Sequence, residues 1–558
     1  MAPSSCQPKG AKRIFLIFVL AIPIFYLVGG YFGVTTNLRG LPRAIPHIAV
    51  FDQKVSNWWT DYFSRLEAAR PSLPPLRAES NGKAALELSA AERTILRHAH
   101  SAFVSRLAGF ATELPFQSGT AGVVTTTSPS DFGQVVTLLL MLRQSGSSLP
   151  VEIVVETSSP EVERLCSVAI PPLHATCIFP KDLWPSLSQS VPRFGQAQCQ
   201  ALSILASSFE QVLFLTPDNL PVHNPDAVFS PDAQPFATTG LITWPDIRTS
   251  TVSPDFFHVA GDTDVSPRKT YPTLSRGALA IDKARHADTL LLAAYYNYYG
   301  PEYYYPLLAQ DDVVGWEGSR ETFLAAATVL EALATGPEPR YIPPDGWTKN
   351  ITLKSLKKGH WEVKTPPRSY MRSQATDYSR STTGPLMTVQ MDPIEDYRAV
   401  IEAVKEDAYR RKHLDTDPSE EEEDFLASSS DTTSRARYGD FRDYITDSTF
   451  LSSIRVPANL TIAPKTERHM FFHHDGETKL DFTKTTEADS GGILAKDGND
   501  MYLRLWGEPD WIITSTGRDV EKLLWEDEMA FWCRLQEYRS ACRRMREVYD
   551  VVYARSYS

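Results

Sequence analysis

Residues 207–225 read SSFEQVLFLTPDNLPVHNP. The stretch leaves a helix end, becomes an apolar strand over residues 211–215, and stops at Asp218 behind Thr216 and Pro217. Such a strand delivers a carboxylate to the C-terminal edge of a sheet, where open α/β folds bind their ligands. Asp218 is therefore a candidate site residue. The competing reading is a turn, because Pro-Asp-Asn ahead of Leu-Pro is good turn chemistry.

The surrounding pattern alternates strand and helix. GVVTTTS, from Gly122, is a short strand, and DFGQVVTLLLMLRQSGS places Val135, Leu138, Leu139 and Leu142 on one helical face. LPVEIVVE is a buried strand, QCQALSILASSF a helix and QVLFL a second buried strand. Repeated βα order predicts a doubly wound, mainly parallel α/β sheet. The stretch from LAIDKARH to TVLEAL reads as two helices around an aromatic, proline-containing loop. DTDPSEEEEDFLASSSDTTSRARYGDF has the composition of a solvated insertion. Order returns with RHMFFHHDGETKLDF and one long terminal helix, with Phe531, Leu535, Tyr538, Cys542, Met545 and Tyr549 along a single face. Neither an internal repeat nor a glycine-rich phosphate loop of the Walker or dinucleotide type is present.

At 558 residues the chain has room for more than one domain, and its net charge of −12 gives no reason to expect a nucleic-acid partner. Residues 14–33 are apolar and uncharged, long enough to cross a hydrocarbon core of about 30 Å. Lys9, Lys12 and Arg13 precede them, which predicts a cytosolic N-terminus, a single-pass signal anchor and a lumenal body. A cleaved signal peptide is the alternative, although its apolar region usually holds only about 7 to 15 residues. Proline punctuation after the span reads as a stem, followed by a helix opened by a capping box at Ser89 and Glu92. Cys166, Cys177, Cys199, Cys533 and Cys542 would lie in an oxidising compartment. Cys166 and Cys177 bracket a segment whose prolines let the chain bend back, so they are expected to pair. Cys533 and Cys542 are not, if the terminal helix is regular. Sequons at Asn350 and Asn459 permit glycosylation.

Four blocks carry a resemblance. GVVTTTSPSDFGQVVTLLLMLRQSGSSLPVEIVVE, ALSILASSFEQVLFLTPDNLPVHNP, the AIDKARH to SRETF segment, and FFHHDGETKLD with LRLWGEPDW resemble the fungal Golgi α-mannosyltransferase family. The resemblance implies type II membrane enzymes with a GT-A fold that extend mannan chains from GDP-mannose with retention of configuration. It departs at four places: Thr216-Pro217-Asp218 stands for Asp-x-Asp, Gly318-Ser319-Arg320 for Gly-Asp-Lys, Gln200 for a lysine, and Ser275-Arg276-Gly277-Ala278 for Glu-Ser-Gly-Gln.

On that basis the domain plan is a cytosolic tail at 1–13, an anchor at 14–33, a stem at 34–112, a GT-A-like nucleotide-sugar domain at 113–350, an insertion at 351–450 and a completing segment at 451–558. Sugar transfer requires the departing diphosphate to be stabilised, for which Mn²⁺ is the implied cofactor. Asp218 is its expected ligand, joined by His473 or His474, which as strand neighbours point to opposite faces. Thr125, Thr126, Arg143 and Asp218 are the candidate donor-binding residues; Arg143 equally suits a helix C-terminus. Glu317 and Glu321, flanking the lost acid with Asp311 and Asp312, are the candidate catalytic carboxylates, or else a solvated loop and helix start. The tyrosines of YYNYYGPEYYY offer sugar stacking or plain packing. The expected activity is a Golgi-lumen α-mannosyltransferase taking GDP-mannose and a mannan or N-glycan acceptor. The alternative is a catalytically silent relative that serves as partner subunit of a transferase complex.

Overall fold

The computed structural model describes residues 53–76, 86–179, 196–234, 236–249, 252–261, 272–309, 319, 321–333, 372–373, 386–395, 398, 468–475, 480–484, 501–502, 504–506 and 509–553. All of them fall in one unit, residues 48–558. The expected span, both sequons and most of residues 351–450 lie outside the described residues. Among the described residues no helix is long and apolar enough to cross a membrane.

Two helices from the segment read as stem are packed parts of the body. The first, α1 (Gln53–Ala68), buries Trp58, Trp59, Tyr62, Phe63 and Leu66, a spacing that makes one continuous face. Its partner surface is the tyrosine cluster. Tyr295, Tyr299 and Tyr303 donate to the carbonyls of Ala69, Leu66 and Leu73 at 3.1, 2.9 and 2.6 Å. Buried tyrosine hydroxyls need such partners, and these rings are core, not a stacking platform. The second helix, α2 (Ala90–Val104), opens on the expected capping box, with Ser89 N donating to Glu92 at 2.8 Å and Glu92 N to Ser89 Oγ at 3.3 Å.

The main sheet is laid down by β1 (Gln117–Thr127), α3 (Phe132–Gln144), β2 (Val151–Val155), β3 (Ala175–Ile178), α4 (Gln196–Ala206) and β4 (Phe209–Leu215). After the short β5 (Asn219–Pro221) come β6 (Leu241–Thr249) and β7 (Pro272–Asp282). The strand order is β3-β2-β1-β4-β7-β6. The first four run parallel, in register Val124 with Glu152 and with Phe214, whereas β7 runs antiparallel to β4 and β6 to β7. The α/β sheet is thus mixed and mainly parallel. Residues 279–282, read from sequence as helical, are the end of β7; helix begins only at α5 (Ala287–Tyr298), which packs against α6 (Thr322–Leu333). A charge at Asp282 and Lys283 beside an apolar run is compatible with either period, and pairing with β4 decides it.

A second, antiparallel sheet has the order β5-β10-β9-β8, with β8 (Arg372–Ser373), β9 (Leu386–Met391) and β10 (His469–Asp475). Because β5 follows β4 after three residues, the two sheets meet where β4 ends. The chain finishes with α7 (Pro509–Thr516), α8 (Val520–Trp532) and α9 (Arg539–Val552). The terminal helix is therefore two helices: Leu535 is extended at φ −97° and ψ 121°, and across this break Cys533 and Cys542 form a disulfide, with Cα atoms 5.2 Å apart. A regular helix would have kept them out of phase; the break removes that obstacle. Cys166 pairs with Cys177 as expected, and Cys199 forms no disulfide among the described residues. Helix α8 lies on α3, and Gly133 of α3 leaves room for Asp481 of the segment 480–484: a Cβ there would come within 2.0 Å of Asp481 Oδ1.

Candidate functional site

Asp218 stands in a turn at the junction of the two sheets. Thr216 N donates to Gly277 O on β7 at 3.0 Å, and Asn219 N closes the turn onto Thr216 O at 3.0 Å. The Thr216 hydroxyl donates to the Asp218 carboxylate. From the second sheet, His474 N donates to Asp218 O at 2.9 Å, and His473 sits in register with Asn219. The result places His473 Nε2 3.9 Å from Asp218 Oδ1, with the histidine 2% and the aspartate 21% exposed. Asp218 does stand in a turn, and that turn aims its carboxylate at the imidazole.

Space for this arrangement is made at Gly277. A Cβ there would lie 2.9 Å from His473 Nε2 and 3.0 Å from Asn219 Nδ2, closer than real side chains approach. Asn219 is fully buried; its Nδ2 donates to Gln390 Oε1 on β9 at 3.0 Å, and its Oδ1 has no hydrogen-bond partner. Sequence reasoning passed over Asn219 and Gln390. Asn219 carries a visible signal, its place beside Asp218, but nothing local marks Gln390, which arrives only through β9 pairing.

His474 faces the other way. Its Nε2 accepts the indole N–H of Trp506 at 2.9 Å, and burial pushes its pKa down to about 4. A tryptophan N–H can only donate, so the lone pair of Nε2 is taken. This corrects the metal set: His474 belongs to Trp506, and His473 alone is turned to Asp218. Arg143 is a second correction. Its guanidinium donates to the carbonyls of Leu173, Ser147 and Leu149 at 2.9, 3.0 and 2.8 Å. Those residues lie before β2 and β3 begin, at the sheet edge opposite Asp218, so Arg143 fastens a helix C-terminus and does not face the candidate donor position.

Thr125 and Thr126 are buried near the C-terminal end of β1, on the same sheet edge as Asp218, and Thr125 Oγ1 has no hydrogen-bond partner. Glu321 is buried in the turn that opens α6, next to Ser319. Glu317, Asp311, Asp312, Gly318 and Arg320 lie outside the described residues. Among the described residues no group of three or more His, Cys, Asp or Glu gathers as a metal cage. Asp218 and His473 instead bring one carboxylate oxygen and one imidazole nitrogen to 3.9 Å of each other.

A family model described as a mannosyltransferase (Mannosyl_trans3) matches residues 120–276 and 262–335. Alpha-1,2-mannosyltransferase MNN24 of Candida albicans is 35% identical over 230 residues, covering 36% of this chain and 32% of that protein. Alpha-1,2-mannosyltransferase MNN5 of Saccharomyces cerevisiae is 30% identical over 289 residues, covering 42% of this chain and 48% of that protein. The chain thus spans half or less of the length of these relatives. Among solved structures, galactosyltransferase LgtC in complex with donor and acceptor sugar analogs covers 35% of this chain and 69% of its own at 12% identity and a TM-score of 0.24, too slight a likeness to carry an argument. Over residues 120–335 the chain matches this mannosyltransferase model and is similar to these fungal α-1,2-mannosyltransferases.

Proposed function

We propose that the chain is a retaining α-mannosyltransferase with a GT-A-like fold that moves mannose from GDP-mannose to mannan or N-glycan chains of glycoproteins, held in the Golgi membrane by residues 14–33 with its body in the lumen. The observation that carries the reading is the Asp218 and His473 pair at the carboxyl end of β4, inside the family-matched region and at the edge where α/β sheets take their ligands. Two disulfides support an oxidising compartment. Asp218 and His473 would hold Mn²⁺, which when bound neutralises charge on the departing diphosphate. Thr216 orients the Asp218 carboxylate through its hydroxyl, and the turn fixes both. The buried hydroxyl of Thr125 is available to a donor at the same edge.

One observation favours a second reading, a silent partner subunit: Thr216 supplies a neutral hydroxyl where the resemblance implies a carboxylate. Calorimetric titration of the full chain with GDP and GDP-mannose, with and without Mn²⁺, separates the two. Metal-coupled nucleotide binding supports the enzyme, and absence of binding supports the partner subunit.

A further inference from the structure

We infer that Glu521 and Trp506 are positioning residues that hold His474 as its Nδ1–H tautomer and so brace the β10 strand against Asp218. The observations form a chain of buried contacts beginning outside the family-matched region. Glu521 is fully buried at the start of α8, and its two carboxylate oxygens accept from Leu505 N at 2.5 Å and Trp506 N at 2.9 Å. Tyr553 Oη also donates to it at 2.6 Å, and Arg504 Nε lies 3.6 Å away. Three donors and a cation on one carboxylate fix the short segment 504–506, which has no helix or strand of its own to define it. That segment presents Trp506, 2% exposed and edge-on to Phe472 at 5.4 Å. The indole N–H points at His474 Nε2 at 2.9 Å. Since the indole has no acceptor, Nε2 must keep its lone pair, and the ring proton of neutral His474 resides on Nδ1. Nδ1 is buried and has no hydrogen-bond partner. From the same residue, the backbone N–H holds Asp218 O at 2.9 Å.

This arrangement does two things. It denies both nitrogens of His474 to a metal, one by its hydrogen bond and one by its proton, leaving His473 as the only imidazole of the pair turned to Asp218. It also makes the position of the Asp218 turn depend on helix α8, more than 300 residues away in sequence. The tautomer stands on geometry alone; only its effect on nucleotide binding rests on the proposed function.

The test is ring-¹⁵N histidine labelling of the full chain in detergent, with His474→Gln identifying the resonances. In the wild type, His474 is expected as Nδ1–H with a hydrogen-bonded, unprotonated Nε2. In Trp506→Phe, which keeps an aromatic ring without an N–H, a substantial share of the proton is expected on Nε2, with Mn²⁺-dependent GDP affinity about tenfold weaker. Glu521→Gln, which brings donors against two backbone N–H groups, is expected to shift the tautomer in the same direction. Protonation of Nε2 in the wild type overturns the inference, as does a Trp506→Phe protein with Nδ1–H unchanged. If the variants fail to fold, the wild-type spectrum decides. A shifted tautomer with unaltered GDP affinity overturns the positioning role. Absence of GDP binding in the wild type itself overturns the donor reading, and the tautomer arm then decides this inference separately.

Discussion

The hydroxyl of Thr216 hydrogen-bonds the carboxylate of Asp218 two residues on, while His473 approaches the same carboxylate to 3.9 Å from the second sheet. Thr216, standing where the resemblance implies an acid, thus serves Asp218 through its hydroxyl. Asp218→Asn keeps size and turn propensity but removes the charge. It is expected to abolish Mn²⁺-dependent GDP binding in a calorimetric titration while changing stability by no more than about 0.5 kcal/mol, the usual range for a partly exposed position. Thr216→Asp is expected to strengthen that binding. No change in either variant would favour the partner-subunit reading.

Gly277→Ala adds one methyl where there is no room, between His473 Nε2 and Asn219 Nδ2. Overpacking of this kind costs about 1–3 kcal/mol, and relief requires His473 to retreat from Asp218. The expected outcome is a lowered melting temperature together with weakened metal-dependent binding. A variant that binds GDP and Mn²⁺ as the wild type does would show that His473 takes no part.

The N-terminal helix is expected to matter for stability and not for the site. Trp59→Ala should cost about 3–5 kcal/mol, since Trp59 is 2% exposed in the common core. Tyr299→Phe should cost about 0.5–1.5 kcal/mol by losing its bond to Leu66 O. Urea unfolding measures both. Nucleotide titration at a temperature where the variants remain folded should give wild-type values.

Acid should loosen the body through two histidines far from Asp218. His100 and His286 are buried, and burial pushes each pKa from 6.5 down to about 4. Their ring nitrogens contact Tyr296 Oη at 2.8 Å and Thr239 O at 2.7 Å. Above pH 6.5 both states are neutral and nothing is lost. Below it the unfolded chain takes up protons that the folded chain refuses, so stability falls until the folded pKa is reached. The expected slope is up to about 1.4 kcal/mol per pH unit for each histidine. Urea midpoints between pH 7 and 4.5 check this, and His100→Gln should flatten the curve.

The sequence by itself determined the elements whose period is local. The apolar runs 151–155 and 209–215 are strands, and Phe132–Gln144 is a helix, because burial on both faces leaves little choice of pattern. The capping box at Ser89 and the Cys166 to Cys177 closure are short-range and were equally legible. The placement of Asp218 at a strand end followed from the same logic. What tertiary structure alone decided depends on partners distant in sequence. Helix α1 gained its identity by burying an aromatic face on tyrosines more than 200 residues later, which the prolines around it concealed. Asp282 and its neighbours became strand because β4 offered an edge. Cys533 and Cys542 met because the terminal helix breaks at Leu535. His473 and His474 are adjacent and chemically identical, and only the neighbours on each face, Asp218 for one and Trp506 for the other, assign them different chemistry. A strand's period of two says that they diverge; it does not say what each will meet.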